Sequence, residues 1–298
     1  MGAEITDKAS ASQKNADTKN SGAIDAHVHV WTPDTQKYPL AAGYRRDEMK
    51  PASFTPDELW KLAKPCGVSR VVLVQMSFYG FDNSYMLDCI RESKGAFAGI
   101  AVIDDSQPKP QDEMQRLKEL GVRGFRIYPR NLPADRWLDS PGMQAMWEAG
   151  AKLQQAMCCL VNPEALPAID RMCEKYPETP LVVDHFARIG VDGQTRDADI
   201  AKLCRLARHK NSYVKVSAYY ALGKKQSPYT DLGPMIRRLV EAYGPQRLMW
   251  ATDCPYQVQE GHKYCDSIDL IRERLDFLKP EDRQWILRGT AEKVFFGA

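Results

Sequence analysis

Ile24-Asp25-Ala26-His27-Val28-His29-Val30-Trp31 is the stretch on which the fold turns. It is a short, largely apolar run without the glycine fingerprint that an open, nucleotide-binding sheet places after its first strand. Residues two apart on a strand point the same way, about 6–7 Å from each other along the chain. His27 and His29 therefore share one face, near the end of a strand that begins at Ala23.

Seven further runs of the same kind follow: Arg70–Met76, Phe97–Ile103, Val122–Tyr128, Met157–Val161, Leu181–His185, Tyr213–Ser217 and Arg247–Thr252. Val71-Val72-Leu73-Val74 is apolar at every position, as expected where helices cover both faces of a sheet. Helical patterns lie between them, at Pro56–Lys64, Ser84–Lys94, Pro110–Leu120, Ser140–Gln155, Glu164–Tyr176, Asp197–His209, Leu232–Tyr243 and Ser267–Leu278. Pro56-Asp57-Glu58 opens the first of these with residues suited to a first helical turn, and Gly121 closes the third. Eight strands, each followed by a helix, predict a single α/β domain over 23–298, a (β/α)8 TIM-like barrel. A doubly wound open sheet is the alternative.

Residues 1–22 differ in kind from the rest. They hold one Ile and no aromatic residue, too little apolar surface to offset chain entropy, and read as a flexible tail without a secretory h-region. Over all 298 residues, 41 Lys+Arg balance 39 Asp+Glu to a net +2, which lacks the basic footprint of a nucleic-acid binder. No run reaches the roughly 18 apolar residues of a membrane span. The eight cysteines form no C-x-x-C pair and read as scattered, free core thiols, hence a reducing, cytoplasmic setting. Oligomeric state has no signature here.

Barrel enzymes keep their chemistry where strands end, at the C-terminal mouth. His27 and His29 reach that mouth from strand one, and Asp253 follows strand eight. The aspartate could take a proton from water or ligate a metal, or else cap the Cys254-Pro255 turn. His185 ends strand six, with Asp184 expected to turn to the opposite face. His209 and His262 read as solvated or capping groups. Arg126 and Tyr128 share the parity of Gly124 and are expected to face inward. Arg130 and Arg188 follow in the loops, where they either hold an anionic substrate or pair with surface acids. Gln75 and Ser77 end strand two and could read substrate hydroxyls or a ring oxygen.

The ordered set IDAHVHVW, VVDHFARIG, VKVSAYY and RLMWATDCPY resembles the amidohydrolase superfamily, specifically its lactonase-like "amidohydrolase 2" branch. The likeness covers nearly everything after the tail. That branch includes lactonases acting on 2-pyrone-4,6-dicarboxylate, on sugar acids and on sulfomuconolactone, with metal-dependent decarboxylases more distant. The resemblance implies a distorted barrel centred on the H-x-H pair and the last-strand aspartate, with Arg188 completing its DHxxR block.

Two departures matter. Strand four carries Arg126 and Tyr128 where many relatives have a lysine or histidine, and strand five has no histidine. At most His27, His29, His185 and Asp253 remain as ligands, enough for one Zn²⁺ or Mn²⁺ but not for a binuclear centre. Metal-free catalysis is the other expectation, and no organic cofactor is implied. Strand seven also lacks the arginine expected of a dicarboxylate enzyme, presenting Tyr219 and Tyr220. The expected activity is hydrolysis of a small, carboxylate-bearing lactone by water activated on Asp253. The competing readings are a metal-dependent decarboxylase or hydratase, and a non-catalytic ligand-binding barrel.

Overall fold

Near-continuous apolar runs need cover on both faces, and the chain supplies it by alternation. The computed structural model describes residues 22–297. Its strands are β1 (Ala23–Val28), β2 (Val68–Val74), β3 (Phe97–Ala101), β4 (Val122–Ile127), β5 (Ala156–Cys159), β6 (Leu181–Val183), β7 (Ser212–Val216) and β8 (Leu248–Trp250). They pair in sequence order, every neighbour parallel, in one eight-stranded sheet. Helices α1 (Pro56–Ala63), α2 (Ser84–Glu92), α3 (Pro110–Glu119), α4 (Pro141–Leu153), α5 (Leu166–Lys175), α6 (Asp197–Arg205) and α7 (Gly233–Tyr243) intervene. The opening of α1 follows from its sequence. Thr55 accepts from the Glu58 amide, and Glu58 reaches back to the Thr55 amide at 2.6 Å.

The barrel closes across a seam rather than a ladder. Between β8 and β1 the backbone supplies His29 N–H to Cys254 O at 2.8 Å and Asp253 N–H to His27 O at 2.9 Å. Asp25 bridges the remainder. Its carboxylate accepts from Thr252 N (2.9 Å), Thr252 Oγ1 (2.5 Å) and Tyr264 Oη (2.7 Å). Asp25 is fully buried, and burial pushes its carboxyl up to about 6 despite those bonds. The seam thus rests on a charged acceptor where other strands use carbonyls.

On β1 the register runs Asp25 to Val71 and then Val28 to Leu73, three residues against two, which is a β-bulge. Ala26 packs in the barrel interior, yet His27 also reaches interior side chains. The extra residue re-aims the His27–His29 face into the barrel.

Beyond the expected helix over Ser267–Leu278, which is helical as Tyr264–Asp269 followed by a π-helical turn, the chain forms further helical turns at Pro280–Gln284, Trp285–Gly289 and Glu292–Phe296. The strand-and-helix alternation did not anticipate them, because they follow the eighth strand and its helix. Ala291 and Phe295 join the interior cluster with Ile24, Val72 and Tyr213, stoppering the barrel at the end opposite the mouth. The expected tail lies outside the described residues except for Gly22, whose carbonyl accepts from Arg288 Nη1 at 2.6 Å.

The reading of eight free thiols is corrected. Cys66 and Cys265 form a disulfide across 199 residues, tying the end of α1 to the helix that carries Tyr264. Sequence distance concealed the pairing, and the scattered-thiol argument for a reducing compartment loses its ground. Among the described residues, no helix is long and apolar enough to cross a membrane.

Candidate active site

Five strand ends, those of β1, β4, β6, β7 and β8, deliver the polar residues of the mouth. Asp253 is placed by β8 with φ +68°, which turns its carboxylate back over the barrel axis. Its Oδ1 lies 3.4 Å from His27 Nε2, 3.3 Å from His29 Nε2 and 3.8 Å from His185 Nε2. Its Oδ2 accepts from Tyr220 Oη at 2.7 Å. Burial opposes charge on Asp253, but His185, His29 and His27 outweigh it and hold the carboxyl well below the usual range.

His29 donates Nδ1–H to Val74 O at 2.8 Å, since a carbonyl can only accept, and this holds its Nε2 toward Asp253. His27 is set the other way. Lys215 Nζ, an ammonium with only hydrogens to give, lies 3.1 Å from His27 Nδ1, leaving the His27 proton on Nε2. Burial first, then the charge of Lys215, keeps the His27 imidazole neutral. His185 Nδ1 contacts Ser217 Oγ at 2.8 Å, and burial lowers its ring to about 4.

The segment His185-Phe186-Ala187-Arg188 has φ of +51° to +57° at all four positions, a left-handed turn that L-residues adopt at a cost. It swings His185 inward just after Asp184, so both side chains enter the barrel. The expectation that Asp184 faces away is therefore corrected. It shares the inward parity of Val182, and its Oδ1 lies 3.0 Å from Lys215 Nζ and 3.6 Å from His27 Nδ1. Although burial disfavours its charge, Lys215 and His27 keep it ionised, well below the usual carboxylate range. Lys215, missed in the sequence, forms with Asp184 a fully buried ion pair beneath the histidines. The available signal was a lysine amid the apolar β7 run Val214-Lys215-Val216.

The other expected residues divide. Arg126 enters the site, with Nη1 3.4 Å from His29 Nε2, Nη2 3.9 Å from Asp184, and Nε buried without a hydrogen-bond partner. Arg188 and Tyr128 line the cavity, and among the described residues Arg188 has no ion pair or side-chain hydrogen bond. Ser77 and Gln75 also line it, Gln75 with its amide nitrogen committed to the carbonyls of Gly80 and Asp82. Arg130 is not brought to the cavity wall. It ion-pairs with Asp105 at 3.3 Å because the loop after Pro129 turns it outward. His209 pairs with Asp170 on the helix layer, and His262 bonds Tyr229 Oη at 2.8 Å, both away from Asp253. The cavity above Asp253 encloses about 790 Å³.

His27 Nε2, His29 Nε2 and Asp253 Oδ1 form a near-equilateral triangle of 3.3, 3.4 and 3.3 Å. A tetrahedral ion with bonds of about 2.0–2.2 Å separates its donors by roughly 3.3–3.6 Å, so this group could hold one divalent ion. His27 would then carry its proton on Nδ1, toward Asp184 instead of Lys215.

The family model described as "Amidohydrolase" matches residues 24–297. The chain is 29% identical to an L-fucono-1,5-lactonase of Burkholderia ambifaria, over 90% of this chain and 93% of that protein. It is 31% identical to a 2-pyrone-4,6-dicarboxylate hydrolase of Comamonas testosteroni, over 83% and 81% of the two chains. The crystal structure of a Pseudomonas putida protein assigned as a 2-pyrone-4,6-dicarboxylic acid hydrolase superposes with a TM-score of 0.77 at 25% identity, covering 93% of this chain and 98% of that one.

Proposed function

The chain belongs to the amidohydrolase family and is a hydrolase, and from that premise we propose that it opens a small, carboxylate-bearing lactone to a hydroxy acid. Lactone-hydrolysing relatives support the reaction class. The observation that carries the reading is Asp253, a buried carboxylate ringed by three imidazoles and steadied by Tyr220, at the floor of a cavity that also holds Arg188, unpaired among the described residues.

In this reading Asp253 accepts a proton from the attacking water while the new C–O bond forms at the lactone carbonyl. The His27 Nε2–H and the Arg126 guanidinium donate to the oxygen that becomes negative. Collapse breaks the ring C–O bond, and the proton held by Asp253 passes to the departing alkoxide. His185 borders the water site, and Tyr220 fixes the carboxylate rotamer. Arg188 holds the substrate carboxylate. Were a Zn²⁺ or Mn²⁺ held by His27, His29 and Asp253, it would polarise the carbonyl as a Lewis acid. The substrate is a small anionic molecule, and the +2 net charge gives no general pull on it, so its capture depends on these local arginines.

A pH-indicator screen of carboxylate-bearing lactones tests the proposal. Ring opening at neutral pH by the wild type is the expected result, and inertness toward every such lactone rejects it.

A further inference from the structure

Large apolar side chains seldom stand in solvent together without a use. Among the described residues six are exposed: Tyr44, Phe81, Leu120, Tyr128, Leu132 and Val191. Four of the six, Tyr44, Phe81, Tyr128 and Val191, line the rim of the cavity above Asp253. They come from four different loops, those following β1, β2, β4 and β6, so their convergence is not a by-product of one amphipathic segment. Exposures of 38–49% leave much of each side chain for a ligand to cover.

Three of the four are aromatic, and the collar is braced from behind. The Arg130 guanidinium sits 5.4 Å from the Phe81 ring centroid and 5.9 Å from that of Tyr128, while its ion pair with Asp105 anchors it. Arg130 thereby supports the rim rather than reading a carboxylate. Two polar groups of the wall are already committed. Gln75 spends its amide nitrogen on carbonyls, and Tyr220 spends its hydroxyl on Asp253. Among the described residues, Arg188 is a wall cation with no ion pair or side-chain hydrogen bond, and a volume of about 790 Å³ lies in the upper part of the roughly 300–1,000 Å³ range of small-molecule sites. A compact lactone without an apolar substituent would leave much of that volume empty and the collar wet.

We infer that the substrate is a lactone monocarboxylate bearing an aromatic substituent, its carboxylate on Arg188 and its ring substituent packed in the collar of Tyr44, Phe81, Tyr128 and Val191. This rests on the lactone-opening reading of the same site and adds the substrate class to it.

Two probes separate the claims: paraconate, a five-membered lactone carboxylate, and 2-phenylparaconate, the same molecule with a phenyl group. Wild-type kcat/KM is expected to favour the phenyl compound at least tenfold, on the order of what burial of an aromatic ring supplies. Phe81→Ser, an exposed position, is expected to shrink that preference chiefly through KM. Calorimetry of the two ring-opened hydroxy acids with Asp253→Asn supplies a readout that needs no turnover, and the phenyl acid is expected to bind at least tenfold tighter. Equal kcat/KM and equal affinities overturn the collar inference while leaving lactone opening intact. If neither lactone opens but the phenyl acid still binds tighter, the collar stands and the reaction assignment falls.

Discussion

Lys215 donating to His27 Nδ1 decides what the first histidine of the H-x-H pair can do. Sequence parity placed His27, His29 and Asp253 at the mouth, but nothing along the chain related Lys215 to Asp184 and His27. Removing one member of a buried ion pair leaves the other uncompensated, at a cost of about 3–5 kcal/mol. Lys215→Met should lose about that much in urea unfolding, and Lys215→Met/Asp184→Asn should recover most of it. The same substitution frees Asp184, 3.6 Å from His27 Nδ1, to accept the His27 proton and leave Nε2 as a metal donor. Zinc affinity, read by competition with a chelating dye, should therefore rise in Lys215→Met by about 10- to 100-fold, the usual reach of such supporting groups. An unchanged affinity would mean that Lys215 does not govern the His27 proton. Arg188→Met should raise KM for lactone carboxylates with little change in kcat, because the contact is made equally before and during reaction.

At the scale of elements, the seam and the disulfide carry tests of their own. Asp25 has a folded value of about 6 against an ordinary 3.8, so between these pH values the folded state holds more proton than the unfolded chain. Its contribution is fully present below about pH 4 and is lost as pH rises through about 6, by up to about 3 kcal/mol. The stability difference between wild type and Asp25→Asn should fall over that interval in denaturant titrations. A flat difference would show that the seam does not raise this carboxyl. Cys66→Ser/Cys265→Ser should lower stability by about 2–4 kcal/mol, measured under oxidising conditions. All eight strands were legible, because each is a short apolar run followed by a helical pattern. The β1 bulge, the left-handed turn at His185–Arg188 and the C-terminal stopper were not. The first two are backbone conformations carried by ordinary residues, and the stopper depends on Phe295 and Ala291 entering a barrel formed by distant strands.

Across the whole molecule, the barrel gathers polar groups from β1, β4, β6, β7 and β8 at one mouth and buries them deeply enough to fix their protonation. Asp253 stays ionised far into acid, His27 stays neutral, and His185 takes up a proton only near pH 4. Since none of these three changes charge in the neutral range, kcat/KM should be level from about pH 5 to about pH 8. A catalytic group titrating near its ordinary histidine value would instead give a limb near 6.5. The central claim is that Asp253 activates the water. Its most direct test is proton release from a lactone carboxylate by wild type and Asp253→Asn, with thermal melts of both. The account predicts one proton per ring opened by the wild type. It predicts kcat lower by about 10²- to 10⁴-fold in the variant, with the melting transition retained. Turnover near the wild-type rate in a folded Asp253→Asn protein would contradict it.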